Sequence, residues 1–376
     1  MNINLPQRYS DIDEDMVINV LDALDLPTDE LNIERETRDG RYMIIEHESV
    51  KFFVGLSNDP LGGRNSFLMQ YLPPVYQAYI FDESPVKSIS IYYPYGFRPD
   101  RPVAPYHTFV NKLLRTAGIK LLNEGEAFNG NVTRPFENIT DLILSRLTQS
   151  QNNQSNKPSY FENDEDAVTI YAKTYGANSM ESFMMAIAAY QLTDKKIVYY
   201  PVVEQSSTQP PEHAARVLEL LGIDVREPIA EILDQHEVRK IEKSTSRKSA
   251  RFHYNLLVKF GKKECYMCGC DIESTIIGAH IHRVTDIDHE DLNFEEKVQH
   301  ATSADNGLWL CATHDRMYEY GIVYYDDHYN IVIKDGLDSN QVEYINWLTL
   351  TKSFQEVHRN IATSGYLELH RQRVVA

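Results

Sequence analysis

Apolar positions along this chain switch between two periods, and the switches mark its elements. Over Asp13 to Leu24 they recur at helical spacing, which predicts an amphipathic helix followed by a polar connection. Arg41 to Glu46 and Val50 to Gly55 read as two strands of a hairpin around His47, Glu48 and Ser49. Leu61 to Asn65 is a glycine-bearing loop without the Gly-Lys-Ser/Thr that completes a phosphate loop, so it predicts a turn. Val86 to Tyr93 (VKSISIYY) predicts a strand and Tyr106 to Ala117 a helix. Phe136 to Leu147 predicts another helix, with Leu142, Ile143 and Leu147 on one face. Thr148 to Pro158 is polar and without period, the pattern of an exposed loop. Next come a strand over Ala167 to Lys173, a turn over Thr174 to Asn178, and a helix over Ser179 to Leu192. Asn178 and Glu181 stand at capping-box spacing there, and Lys196 to Val203 (KIVYYPVV) predicts the following strand. Pro211 and Gly222 bracket a short helix, and a further helix is expected from Val225 with Ile229, Ile232 and Leu233. Near the C-terminus, Ile322 to Asp326 and Ile331 to Lys334 predict a hairpin. Gln341 to Ile361 predicts an amphipathic helix packing Val342, Ile345, Trp347 and Leu348.

A strand, a helix and a strand in succession suggest an α/β core, and length sharpens the picture. At 376 residues, with 42% hydrophobic and 24% charged positions, the chain has room for two or three globular domains. The expected fold is α+β and multidomain. Residues 1–235 would form an N-terminal α/β recognition or sensing domain with a mixed sheet, and residues 236–376 a second domain. No apolar h-region follows the first residues, and no run approaches the roughly 18 apolar residues needed to span a bilayer. Four cysteines gathered in one window fit a reducing, cytoplasmic setting.

The net charge of -18 argues against indiscriminate binding to nucleic acid. Its distribution is uneven, however. From Arg239 to Lys263 nine Lys or Arg stand against one Glu, and this stretch runs into the cysteine window. Arg247, Lys248, Arg251, Lys262 and Lys263 are the expected phosphate contacts.

The chemistry concentrates between Glu264 and Tyr325. Cys265 and Cys268 form a C-x2-C pair, and Cys311 and His314 a C-x2-H pair. Thiolates and an imidazole in two short chelating pairs, split by a long loop, suit a structural tetrahedral zinc. Cys270 either replaces Cys268 or is spare. The order and spacing of the surrounding residues resemble the HNH (ββα-metal) endonuclease family, restriction-type members included. Ala279-His280-Ile281 matches the strand end that carries the family's first histidine. Asn306-Gly307-Leu308-Trp309-Leu310 matches its asparagine and the apolar run that follows. Leu310-Cys311-Ala312-Thr313-His314-Asp315 matches its metal-binding helix, and Arg251 to Gly261 looks like the lead-in segment.

The resemblance implies a zinc-stabilised ββα module flanked by helices that hydrolyses DNA phosphodiesters to 5′-phosphate and 3′-hydroxyl ends. His280 would be the general base, and Asn306 would orient that imidazole or its loop. Asp315 would be a Mg²⁺ or Mn²⁺ ligand, projecting from the helix that His314 anchors to zinc. Two positions depart from the pattern. Ala279 stands where an aspartate is common, and Asp315 where a histidine is usual. An oxygen ligand suits a hard cation, so Asp315 is a reasonable replacement, while His282, Asp286 and Asp288 compete as second ligand. The expected partner is double-stranded DNA, cut by a homodimer if the target is palindromic. The alternatives are a zinc-stabilised DNA-binding module whose nuclease site has decayed, or a non-specific defence nuclease switched on by a ligand. A weaker resemblance, to the PD-(D/E)xK nucleases, rests on Lys173 with Glu181 and either Glu165 or Asp166; Tyr171 replaces that family's carboxylate.

Overall fold

The computed structural model describes residues 14–29, 31–36, 42–56, 75–77, 79, 86–94, 96, 103, 105–151, 159–173, 178–203, 212–230 and 249–375. It is mixed α+β with several sheets. The chain separates into two compact units, Met1–Phe161 with Asp166–Pro228, and Glu162–Glu165 with Ile229–Ala376. The boundary expected at residue 235 falls among residues 231–248, outside the described residues, as do the glycine loop at 61–65 and most of the polar run.

In the first unit, helix α1 (Glu14–Leu24) buries Val17, Val20 and Leu21. Strands β1 (Asn32–Glu36), β2 (Tyr42–His47), β3 (Val50–Leu56), β4 (Val86–Tyr92) and β5 (Lys120–Leu122) make one sheet in that order. β1 to β3 run antiparallel, whereas β4 and β5 join in parallel, so the sheet is mixed. Glu48 and Ser49 close the β2–β3 hairpin at φ 49° and 65°, the left-handed pair that matches strand twist in a two-residue turn. Helices α2 (Pro105–Thr116), α3 (Glu124–Ala127) and α4 (Ile139–Gln151) follow. A second sheet contains β6 (Tyr160–Asn163), β7 (Ala167–Lys173), β8 (Lys196–Val203) and β9 (Asp224–Val225). β7 and β8 pair in parallel, with helix α5 (Asn178–Leu192) between them in sequence. Helix α6 (Glu212–Leu220) comes next, ahead of Gly222 at φ 86°.

The helix expected from Val225 is not there. Asp224–Val225 pairs with β8, Arg226 donates its amide to the Tyr199 carbonyl, and Ile229–Ala230 is strand β10. Pro228 disfavours helical backbone at the residue before it, so sheet pairing prevails. Ile232 and Leu233 lie outside the described residues.

The second unit is built on helix α7 (Ala250–Phe260), capped by the Ser249 side chain at the Phe252 amide and closed by Gly261 at φ 82°. The antiparallel hairpin of β11 (Ile276–His280) and β12 (Gly307–Cys311) follows, with His280 opposite Gly307 and Ile276 opposite Cys311. Helices α8 (Val284–His289) and α9 (Phe294–Thr302) lie between its strands in sequence, and α9 starts in an Asn293–Glu296 capping box. Helix α10 (Ala312–Glu319) leaves directly from β12. The hairpin of β13 (Val323–Tyr325) and β14 (Ile331–Ile333) forms as expected.

The helix expected over residues 341–361 stops at Leu348: α11 spans Ser339–Leu348, and a separate helix, α12 (Ile361–Val375), starts where the expected one would end. Between them the chain uses its hydrogen bonds elsewhere. Leu350 and Thr351 donate their amides to the Met267 carbonyl, and the Lys352 carbonyl accepts from Ile331. Trp347, expected in the core, is 73% exposed, whereas Ile345 is buried. Among the described residues no helix is long and apolar enough to cross a membrane.

Gly307 fixes how closely α7 approaches this hairpin. Its φ of -148° is ordinary extended backbone, so conformational freedom is not the reason for glycine. A Cβ there would sit 2.6 Å from two carbons of the Phe252 ring and 2.8 Å from Leu256 Cδ2. Gly307→Ala is therefore expected to destabilise the protein by about 1–3 kcal/mol through overpacking. Denaturant unfolding checks this; a midpoint equal to that of the unsubstituted protein would contradict the packing described.

Candidate metal centre and histidine site

Cys265 and Cys268 sit in a tight knuckle between α7 and β11. The Gly269 amide donates to the Cys265 carbonyl, and the Cys265 amide to the Cys270 carbonyl, both at 2.8 Å. Gly269 takes φ +69°, which a side chain rarely adopts. The Tyr266 amide ties the knuckle to β12 through the Trp309 carbonyl at 2.8 Å. Cys311 ends β12 and is the N-cap of α10, so His314, three residues on, returns to the same side in the first turn. One ligand atom from each of Cys265, Cys268, Cys311 and His314 lies within 4.8 Å of all the others.

The separations test the fit to a metal. Zinc–sulfur bonds of about 2.3 Å and zinc–nitrogen bonds of about 2.05 Å give tetrahedral edges of about 3.8 Å between sulfurs and about 3.6 Å between sulfur and nitrogen. Cys268 Sγ lies 3.9 Å from Cys311 Sγ, and Cys265 Sγ lies 3.6 Å from His314 Nδ1. Cys311 Sγ to His314 Nδ1 is tighter, at 3.2 Å. His314 Nε2 lies 3.1 Å from Thr349 Oγ1, a second partner that fixes the ring with Nδ1 toward the thiols. Burial pushes the Cys265 thiol up to about 12 and the His314 imidazole down to about 4, so each resists charge on its own. A cation among these four groups would reverse that for the thiols. The set can hold zinc. Cys270 is not part of it; its sulfur lies 3.8 Å from Thr275 Oγ1.

His280 is buried at the far end of the same hairpin. Its ring stacks on Phe252 with centroids 4.0 Å apart and planes 9° from parallel. Nε2 is 2.8 Å from the Ala301 carbonyl oxygen. A carbonyl only accepts, so Nε2 carries the proton and the lone pair resides on Nδ1. Asn306 is fully buried and does not serve the imidazole directly. Its Oδ1 accepts from the His282 amide at 2.7 Å, and its Nδ2 donates to the His282 and His300 carbonyls at 3.0 and 3.1 Å. The Asn306 carbonyl accepts from the Ile281 amide at 3.0 Å. These bonds tie residues 281 and 282 to Asn306 and, through its side chain, to residue 300.

Asp315 is buried in the first turn of α10, one residue beyond His314. His282, a candidate second ligand, has its Nε2 2.6 Å from Glu290 Oε1. Asp286 lies on α8, and the Asp288 carbonyl accepts from Lys297 Nζ at 2.8 Å. Among the described residues, the Cys3His set is the one group of three or more metal-ligating side chains brought together.

The expected phosphate contacts fare differently. Arg247 and Lys248 lie outside the described residues. Arg251 and Lys263 are buried, Lys263 with its Nζ 2.9 Å from Asp164 Oδ1 and 5.8 Å from the Trp309 ring centroid. Lys263 is so placed that its charge is paired within the protein. Lys262 is exposed and paired with Glu264. In the first unit, Glu181 is buried against Arg146 (2.8 Å) and the Tyr106 hydroxyl (2.6 Å), Lys173 is buried and Asp166 is exposed; Glu165, which belongs to the second unit, is exposed as well. Glu181 serves a buried ion pair.

Sequence reasoning passed over Phe252, Ala301 and Thr349 as site residues. The first was only part of a lead-in segment, the second acts through its backbone, and the third lies 35 residues from the histidine it contacts. No residue type marks such roles.

No curated protein matches the chain. A family model described as HNH endonuclease matches residues 265–324, the stretch from the knuckle cysteine through β11, β12 and α10 into β13. The C-terminal region of this chain is thus similar to an HNH endonuclease domain over residues 265–324.

Proposed function

We propose that the protein is a metal-dependent endonuclease cutting double-stranded DNA in the cytoplasm, as a site-specific restriction or phage-defence enzyme. The observation that carries this reading is a clustered Cys3His set at one end of a short hairpin and, at the other, an imidazole whose Nε2 meets the Ala301 carbonyl. Zinc would be structural, held by Cys265, Cys268, Cys311 and His314. His280 takes a proton from the attacking water through Nδ1, since Nε2 is committed to the Ala301 carbonyl. Asn306 keeps the backbone after His280 in place, so the imidazole stays at the strand end.

Asp315 is the carboxylate for a second, hard cation, Mg²⁺ or Mn²⁺; with one protein oxygen on offer, substrate phosphate and water would complete the shell, as Mg²⁺ commonly accepts. When bound, that ion supplies charge neutralisation at the phosphate and at the departing 3′-oxygen. The part of the chain before residue 236 serves recognition or sensing, and a homodimer would cut both strands of a palindromic target.

Cys265→Ser or Cys311→Ser is expected to release zinc and lower the melting temperature. Elemental analysis beside thermal unfolding checks this, and a purified protein without zinc would remove the structural-ion reading. His280→Ala is expected to abolish cleavage of plasmid DNA in Mg²⁺ or Mn²⁺, a drop of about 10²-fold or more for a lost general base. DNA binding, measured by gel shift, should persist. Cleavage retained by His280→Ala would refute the base assignment.

A further inference from the structure

Helix α12 begins well beyond the residues that match the HNH family, yet it grips the segment that positions His280. That segment, residues 300–306, supplies three of the contacts described above. The His300 carbonyl accepts from Asn306, the Ala301 carbonyl accepts from His280, and Asn306 clamps residues 281 and 282. Two helices hold it from outside. From α7, Asn255 Nδ2 donates to the Thr302 carbonyl at 2.7 Å, and Lys259 Nζ reaches Asp305 Oδ1 at 3.0 Å. From α12 and the residue before it, Thr363 Oγ1 and Asn360 Nδ2 donate to the same Asp305 oxygen at 3.3 and 2.9 Å. Thr363 also accepts from Lys259 at 3.0 Å, and Tyr366 Oη lies 2.8 Å from His300 Nδ1.

We infer that Asp305, Thr363 and Tyr366 are positioning residues for the proposed nuclease reaction. They act through the 300–306 segment on the tautomer and placement of His280, and this inference rests on the nuclease reading above. The chemistry supports it. A lysine that is only 12% exposed and a carboxylate that accepts three donors make an expensive arrangement for a surface turn. Asp305 is held below the ordinary carboxylate range by Asn360, Lys259 and Thr363, which outweigh the opposing effect of its burial. The arrangement immobilises one short helical turn, Ala304–Asn306, whose last residue is the asparagine of the site.

The test compares the full-length protein with Thr363→Val and Tyr366→Phe, singly and together, both close in shape to the originals. Hydrogen exchange of the Ile281 and His282 amides, which bond to Asn306, should accelerate about tenfold in the double variant, while the β11–β12 ladder stays within about twofold. The kcat for DNA cleavage should fall about tenfold with KM and zinc content near those of the unsubstituted protein, the pattern of a misplaced reacting group. Unchanged exchange at 281 and 282 overturns the inference, as does equal acceleration throughout the ladder. If the unsubstituted protein cleaves no DNA, the nuclease reading fails instead, and exchange still decides whether α12 holds the turn.

Discussion

The second unit depends on a constraint that hydrophobic packing alone would not supply. Its central hairpin has five residues in each strand, and its two ligand pairs are separated by more than forty positions. Joining such distant segments costs loop-closure entropy, and a two-stranded sheet has little area with which to offset it. Four ligand atoms within 4.8 Å of one another could offer the compensation, because metal bound by the folded state alone is folding free energy. Thr349 extends that constraint to the chain after α11 through His314 Nε2. The knuckle does the same through the Met267 carbonyl, which accepts from Leu350 and Thr351. The expected C-terminal helix breaks where the chain makes these contacts.

At the other end of the hairpin the constraint is a hydrogen bond. The Ala301 carbonyl decides which imidazole nitrogen is protonated, and Phe252 decides the plane in which the ring lies. Gly307 opposite His280 lets Phe252 reach that position. Three residues that carry no titratable group therefore define the geometry of this imidazole.

The sequence exposed much of this and hid the rest for physical reasons. Periodicity located the strands over 86–93, 167–173 and 196–203 closely, because buried strands are written in runs of β-branched and aromatic residues. The ligand set was legible because C-x2-C and C-x2-H spacings are local. The helix expected from Val225 failed because pairing with β8 overrode local propensity, and the long C-terminal helix failed because Thr349 and Leu350 are recruited by residues 35 and 83 positions away. Arg251 and Lys263 read as surface cations, yet both are buried, Lys263 beside Asp164 and over Trp309.

The central claim is that one tetrahedral ion joins the knuckle to α10, and X-ray absorption at the zinc edge of the purified protein addresses it directly. The account predicts a first shell of three sulfurs at about 2.3 Å and one nitrogen at about 2.0–2.1 Å, as in Cys3His sites. A shell of oxygen and nitrogen alone, or one with fewer than three sulfurs, would contradict it.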